Sequence, residues 1–433
     1  MKRLAYVALG AMLGFAGAFG VLAAEGANNT NTYGELSLFS EAFEKVRANY
    51  VRPVQDSELV DAAIQGMVSS LDPHSSYMDA KTFTDMQIQT KGEFGGVGIE
   101  VTMQDGLIKV ISPIDDTPAA KAGLKPGDFI AAIDGNSIQG MALNDAIDKM
   151  RGPAGSKVTL TVLRQGDKKP FDVSLTRAVI HVDSVKWHRE GDIGYIRLTA
   201  FNEETASGLE RAVRDLKKQI GPGLQGYVLD LRNNPGGLLE QAIQVSGDFL
   251  NSGEIVSTRG RNPEDTERSD AKPGGDITDG KPVAILINAG TASASEIVAG
   301  ALQDHHRATV IGMTSFGKGS VQTIIPLGEC GCALRLTTAR YYTPSGHSIQ
   351  AEGIIPNIAV AQGDETDTPK IEEPDEADLP GHLSPEDVAK AKKPLTIIRP
   401  PTGKKVDDFQ LSYALDFLRG KVNVASGKSE AAR

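Results

Sequence analysis

Cysteine is nearly absent. The 433 residues hold two, Cys330 and Cys332, with only Gly331 between them, so no disulfide framework is available. A bridge across so short a loop would be strained, and no second cysteine or histidine cluster completes a zinc site. The pair reads as an exposed turn or a modest redox pair, and neither metal nor cofactor is expected. Basic charge is scarce too: 45 Lys and Arg face 56 Asp and Glu, a net charge of −11. No long basic run follows the first few residues, which excludes nucleic acid as a partner. No internal repeat is evident. One uncharged run of 21 residues, Leu4 to Ala24, follows Lys2 and Arg3 and reads as an export signal. It is also close to the ~20 residues a spanning helix needs, so cleavage near Ala23 and retention as a membrane anchor both stay open. The mature chain is expected in the periplasm, free or anchored to the inner membrane.

The length allows two or three domains. Residues 36–91 read as a helical region: Phe39, Phe43, Val46 and Tyr50 recur at three and four, Leu59, Ala63, Met67 and Val68 form a second face, and Pro73 breaks the pattern. Residues 92–180 turn to short β-branched runs punctuated by glycine, with one helical stretch at Leu143–Met150, predicting a compact β module. From 185 to 360 strands over Ile193–Phe201, Tyr227–Leu231 and Val283–Asn288 alternate with helices, the pattern of an α/β core. Residues 361–400 form an acidic, proline-rich stretch. Its first twenty residues carry eight acids, one lysine and three prolines, predicting a disordered linker. Residues 401–433 form a tail with a last helix, whose Phe409, Leu411, Tyr413, Leu415 and Leu418 are free to pack.

The sharpest local signal is Asn288-Ala-Gly-Thr-Ala-Ser-Ala-Ser-Glu296, where a buried strand ends and a helix begins. Ser293 would stand at that helix's N-terminus, among free N–H groups and the positive end of the dipole, as a nucleophile or as an ordinary N-cap. Lys318 lies between Gly317 and Gly319, just before an apolar β run. A lysine of pKa ~10.4 is useless as a base at neutral pH, but burial lowers it. Gln322 could hold that amine through its amide oxygen without adding charge. The glycines of Asp230-Leu-Arg-Asn-Asn-Pro-Gly-Gly237 allow a close backbone approach to a ligand, so this turn could supply one oxyanion donor and Ala294 the other.

Six blocks, Leu71–Tyr77, Gly92–Ile99, Leu231–Gly237, Asn288–Glu296, Gly317–Gln322 and Tyr342–Ile358, resemble in order those of the carboxyl-terminal processing (tail-specific) proteases. The resemblance implies a crotonase-like α/β core with an inserted PDZ domain and an N-terminal helical segment. It implies a serine endopeptidase acting on proteins with apolar C-terminal tails, with Ser293 as nucleophile, Lys318 as base and Gln322 beside them. The implied oxyanion hole combines the N–H of Gly236 or Gly237 with that of Ala294. Two candidate third acids fall on Glu296 and Asp304; Glu296 lies one turn from Ser293, whereas Asp304 is about 16 Å farther along the helix. Gly95, Gly96, Val97, Gly98 and Ile99 match the loop that receives a substrate's terminal carboxylate, with the tail adding as a strand beside it. Arg164 is the expected contact through which the PDZ domain gates the site. Asn357 departs from the family's more frequent aspartate. A homo-oligomer or an activating adaptor is compatible with this reading.

Rival readings are weaker. Gly312 to Lys318 mimics a phosphate loop but lacks the following Ser or Thr. Ser315-Phe-Gly-Lys318 mimics a Ser-x-x-Lys motif without its partner motifs. His305 and His306 beside Asp304 are expected to meet the helix's C-terminal carbonyls. A non-catalytic exported PDZ scaffold is the alternative function.

Overall fold

A computed structural model describes residues 32–422 apart from 105, 115, 166, 168, 182, 364–374, 386–395 and 402–405. The expected export segment therefore lies outside the described residues, as do parts of the acidic stretch and tail. The chain divides into two compact units at Ser70/Leu71. The described part of the first holds helices over 32–49 and Asp56–Ser69, with Tyr33, Leu36, Phe39, Val46 and Tyr50 exposed. Residues 71–91, expected with these helices, belong to the second unit: Ser76–Met78 is a strand of a sheet there, and Ala80–Lys91 a helix.

Within the second unit the β module is an insertion with a closed neck. The entering strand Glu93–Gly96 pairs antiparallel with the leaving strand Ala178–His181. Between them lies a six-stranded sheet in the order Ile99–Gln104, Leu107–Pro113, Phe129–Ile133, Lys157–Leu163 and Phe171–Thr176, with the short Asn136–Ser137 paired to Phe129–Ile133 off this path. Lys157–Leu163 alternates inward Val158, Leu160 and Val162 with outward polar residues, the period of a half-buried strand. The inward faces close over the helix Leu143–Met150 through Ala146 and Met150. Ile99–Gln104 is an edge strand.

The core is a six-stranded sheet in the order Val185–Glu190, Ile193–Leu198, Gly226–Asp230, Val283–Ile287, Ala308–Gly312 and Ile358–Ala359, parallel except for the first pair. Its middle strand, Val-Ala-Ile-Leu-Ile, is buried at every position, as expected where helices cover both faces. Helices Thr205–Ile220, Leu239–Gly247 and Ala294–Asp304 fill one face through Leu209, Val213, Val245 and Val298. The helix Phe409–Leu418 fills the other through Tyr413 and Ala414. Each fully buried aliphatic side chain is worth about 1.5–3 kcal/mol, so the tail helix is part of the core.

A second sheet, invisible to the helix–strand alternation, joins Ser76–Met78, Cys332–Tyr342, Glu254–Arg259 and Thr266–Asp270, with Ser320–Leu327 paired to Cys332–Tyr342. At the turn of that last hairpin Cys330 and Cys332 form a disulfide, and Cys332 is buried where an exposed turn or a redox pair was expected. The linker expectation also fails over residues 375–385, which are placed against the core with Glu376 fully buried. Asn357, the departure from the family pattern, accepts the Val310 N–H through Oδ1 at 2.8 Å, as an aspartate would.

Candidate active site

Ser293 stands where the buried middle strand turns into the helix Ala294–Asp304. Two neighbouring strand-end loops are stitched together to hold that turn. Asn233 N donates to Asn288 Oδ1 and Asn288 Nδ2 to Asn233 Oδ1, both at 2.9 Å, while Thr291 Oγ1 donates to Leu231 O at 2.9 Å. Under this constraint Ser293 adopts φ 55°, ψ −116°. A non-glycine residue held there costs about 1–3 kcal/mol and persists only where its surroundings over-determine it. A strained serine at a strand-to-helix turn is the geometry of a nucleophile elbow.

Glu296, one turn into the helix, organises the site. It is completely buried, and its carboxylate accepts four hydrogen bonds. Oε1 takes Ser315 Oγ at 2.5 Å and Gly317 N at 2.7 Å; Oε2 takes Ser293 N at 2.8 Å and Lys318 N at 2.9 Å. One oxygen thus carries the backbone amides of both serine and lysine, so the two nitrogens are no farther apart than those two short bonds laid end to end. Burial pushes the Glu296 carboxyl up to about 7 against the pull of these donors.

Lys318 follows on a loop clamped between two elements. Gly317 O accepts Ala351 N at 2.8 Å and Gly319 O accepts Tyr341 N at 2.7 Å. A Cβ on Gly319 would collide with the Gln350 backbone, so the glycine beside the lysine is what lets the loop sit this deep. Desolvation holds the Lys318 amine below the usual lysine range, opposed by the charges of Glu376, Glu296 and Asp72 and reinforced by Arg335.

The Pro-Gly-Gly turn meets this pair directly. A Cβ on Gly236 would lie 2.8 Å from Ser293 Cβ and 2.9 Å from Ala294 N. The Gly236 N–H is already given to Asn234 Oδ1 at 2.9 Å. Gly237 N and Ala294 N have no protein acceptor among the described residues, and Ala294 opens the helix, where N–H groups lack intrahelical partners.

Other expected residues lie elsewhere. Asp304, at the far end of the helix, accepts Ser345 N at 3.0 Å and does not join this group. Gln322 gives its amide to Ser320 Oγ at 2.9 Å and Thr337 Oγ1 at 3.3 Å and makes no hydrogen bond to the lysine amine. Arg164, expected to reach toward the core, is committed inside the β module. It forks onto Asp128 at 2.7 and 2.8 Å and caps Gly123 O at 2.8 Å, because Asp128 is only 1% exposed and needs a counter-charge. Ser315, the rival nucleophile, is buried and spends its hydroxyl on Glu296 and on Ile354 N at 2.6 Å. His305 bonds the Glu254 carbonyl at 2.7 Å rather than a carbonyl of its own helix. In the loop 95–99, Gly95 and Gly96 pair with Val179 and Ala178, Val97 is buried, and Gly98 has φ 77°, leading into the edge strand at Ile99. Sequence reasoning missed a second polar layer made by Asp72, His74, Gln350 and Glu376. The only signal for it was the polar Asp-Pro-His-Ser-Ser run at 72–76.

A strained serine and a desolvated lysine thus flank one buried carboxylate, on an α/β core carrying an inserted β module, an arrangement that suits a protease. Comparison with known proteins agrees: peptidase family S41 matches residues 192–360, a PDZ domain 95–175, and the activating protease CtpB N-terminal domain 18–82. A carboxy-terminal-processing protease of Bartonella bacilliformis is 56% identical over 92% of each chain. The carboxy-terminal processing protease CtpA of Bacillus subtilis is 39% identical over 79% of this chain and 70% of its own. Among solved structures, the photosystem II D1 C-terminal processing protease aligns at 30% identity over 74% of this chain and 92% of its own, with a TM-score of 0.43. The chain belongs to the carboxy-terminal-processing protease family.

Proposed function

We propose that the chain is an exported serine endopeptidase that captures proteins by apolar C-terminal tails and cleaves them through an acyl-enzyme on Ser293, with Lys318 as general base, on a crotonase-like core. The observation that carries this reading is the single Glu296 oxygen holding the amides of both Ser293 and Lys318. It fixes the backbone of nucleophile and base relative to each other.

The neutral Lys318 amine takes the Ser293 proton as Oγ attacks the scissile carbonyl carbon. The oxyanion falls between Gly237 N–H and Ala294 N–H, donors with no other commitment. Collapse breaks the peptide bond, and the Lys318 ammonium gives its proton to the leaving amine. Water then attacks the ester as Lys318 takes its proton; the ester C–O bond breaks, the Lys318 ammonium returns the proton to Ser293 Oγ, and the acid product leaves. Glu296 positions both partners, and no step requires a metal or nucleotide.

The edge strand Ile99–Gln104 offers unpaired backbone groups along which a tail can add as a strand, with the loop 95–99 at its carboxylate end. Export is supported by the charged-then-uncharged N-terminus and by the Cys330–Cys332 disulfide, a bond that persists in oxidising compartments. Purified wild type and Ser293→Ala enzymes test the reading on an unfolded protein bearing an apolar C-terminal tail. Loss of cleavage in a folded variant is expected; wild-type cleavage by Ser293→Ala would leave only the scaffold function.

A further inference from the structure

The acidic stretch beyond the core returns one piece to the catalytic site. Asp375 caps the short turn Glu376–Asp378 by accepting Ala377 N at 2.9 Å. Behind that turn Glu376 is fully buried. Its carboxylate meets His74 Nε2 at 2.9 and 2.8 Å and Gln350 Nε2 at 2.9 Å, and its N–H donates to Phe316 O at 3.0 Å, two residues before Lys318. Farther along, Gln350 Nε2 holds Leu383 O at 3.1 Å and Arg340 Nη1 holds Ser384 O at 2.9 Å. These last contacts read backbone, as an extended peptide would be read whatever its side chains. Among the described residues, Glu376 is the one side chain of 375–385 that hydrogen-bonds outside the segment.

The charges facing Lys318 are Glu376, Arg335, Glu296 and Asp72, and Glu376 exerts the strongest pull toward the ammonium. Catalysis needs the opposite, a neutral amine. His74 and Gln350 both present side-chain nitrogens to this carboxylate, so the pocket is built for an acid, and glutamine would keep only one of its two acceptor oxygens. A buried carboxylate placed beside the base has the chemistry of a restraint.

We propose that His74 and Gln350, next to Lys318, form a carboxylate-binding inhibitory subsite. Glu376 fills it in the resting enzyme, residues 375–385 act as an internal inhibitor, and an acidic peptide in trans takes the same place. The proposal rests on the Ser293–Lys318 reading.

The test compares full-length wild type with Glu376→Ala and Glu376→Gln on a fluorogenic peptide across pH. In both variants kcat/KM near neutral pH is expected to rise about tenfold, since well below the pKa each fall of about one in lysine pKa raises the neutral fraction tenfold. The acid limb of the profile should move to lower pH, because a negative neighbour of the ammonium is gone. An amidated peptide of residues 375–385 should then inhibit Glu376→Ala, and its Glu-to-Gln counterpart should not. Reduced activity in Glu376→Gln at an unchanged melting temperature would overturn the proposal, as would an unmoved acid limb. Adding Ser293→Ala separates the two readings: it must abolish activity with or without Glu376, and if it does not, the catalytic assignment has failed, not the inhibitory subsite alone.

Discussion

Two acids are equally lost to solvent in this molecule and serve opposite ends. Asp128 in the β module is 1% exposed and Glu296 in the core 0%. Burial would raise both carboxyls, but Asp128 meets the Arg164 fork and the Lys125 N–H and is held below the ordinary aspartate range. Glu296 meets three backbone amides and one hydroxyl, no cation, and stays up at about 7. A full counter-charge fixes a buried acid as a brace. Neutral dipoles leave it poised, and the lysine amine nearby escapes a locked ion pair with it.

The largest break in this comparison comes from giving the core a permanent cation. Lys318→Arg keeps the charge but removes the ability to be neutral, and kcat should fall at least ~10³-fold without loss of folding, measured by peptide hydrolysis and thermal melting. Next, Glu296→Gln turns one acceptor oxygen into a donor facing N–H groups. An unsatisfied buried polar group costs about 1–3 kcal/mol, and activity should drop ~10²-fold through misplacement of serine and lysine, read as a fall in kcat rather than a rise in KM.

Asp128→Ala, by contrast, should cost about 1–3 kcal/mol of stability while cleavage of a short untailed peptide stays within about twofold of wild type. The smallest effect is on the pH dependence of stability, where the two acids have opposite signs. Glu296, raised in the fold, contributes stability that is present below the ordinary glutamate range and lost as pH rises through about 7. Asp128, lowered, contributes stability present above the ordinary aspartate value and lost as pH falls through its depressed pKa. Wild type should therefore lose melting temperature relative to Glu296→Gln between about pH 5 and 8, whereas the difference from Asp128→Ala should stay flat across that window.

What could be read without coordinates follows from how local each signal is. The Ser293 turn and the glycines around Lys318 and at 236–237 are visible because strand end, backbone freedom and helix start lie within ten residues of one another. The β module announced itself by short β-branched runs punctuated by glycine. Glu376 did not: its composition is that of a linker, and the socket that buries it comes from His74, 302 residues away, and Gln350. The pairing of Arg164 was hidden for a related reason, since Asp128 lies in the turn just before another strand of the same module and no spacing rule pairs them. The second sheet was hidden because its strands are antiparallel and interleaved with the α/β units.

The account stands on a neutral amine at Lys318 activating Ser293. Its most direct test is the rate at which a fluorophosphonate probe labels the enzyme, followed across pH with the adduct mapped by mass spectrometry. A single adduct on Ser293 is predicted, forming faster as pH rises through a midpoint below the ordinary lysine value and lost in Lys318→Ala. Labelling of Lys318→Ala at the wild-type rate, or an adduct on any other serine, would contradict it.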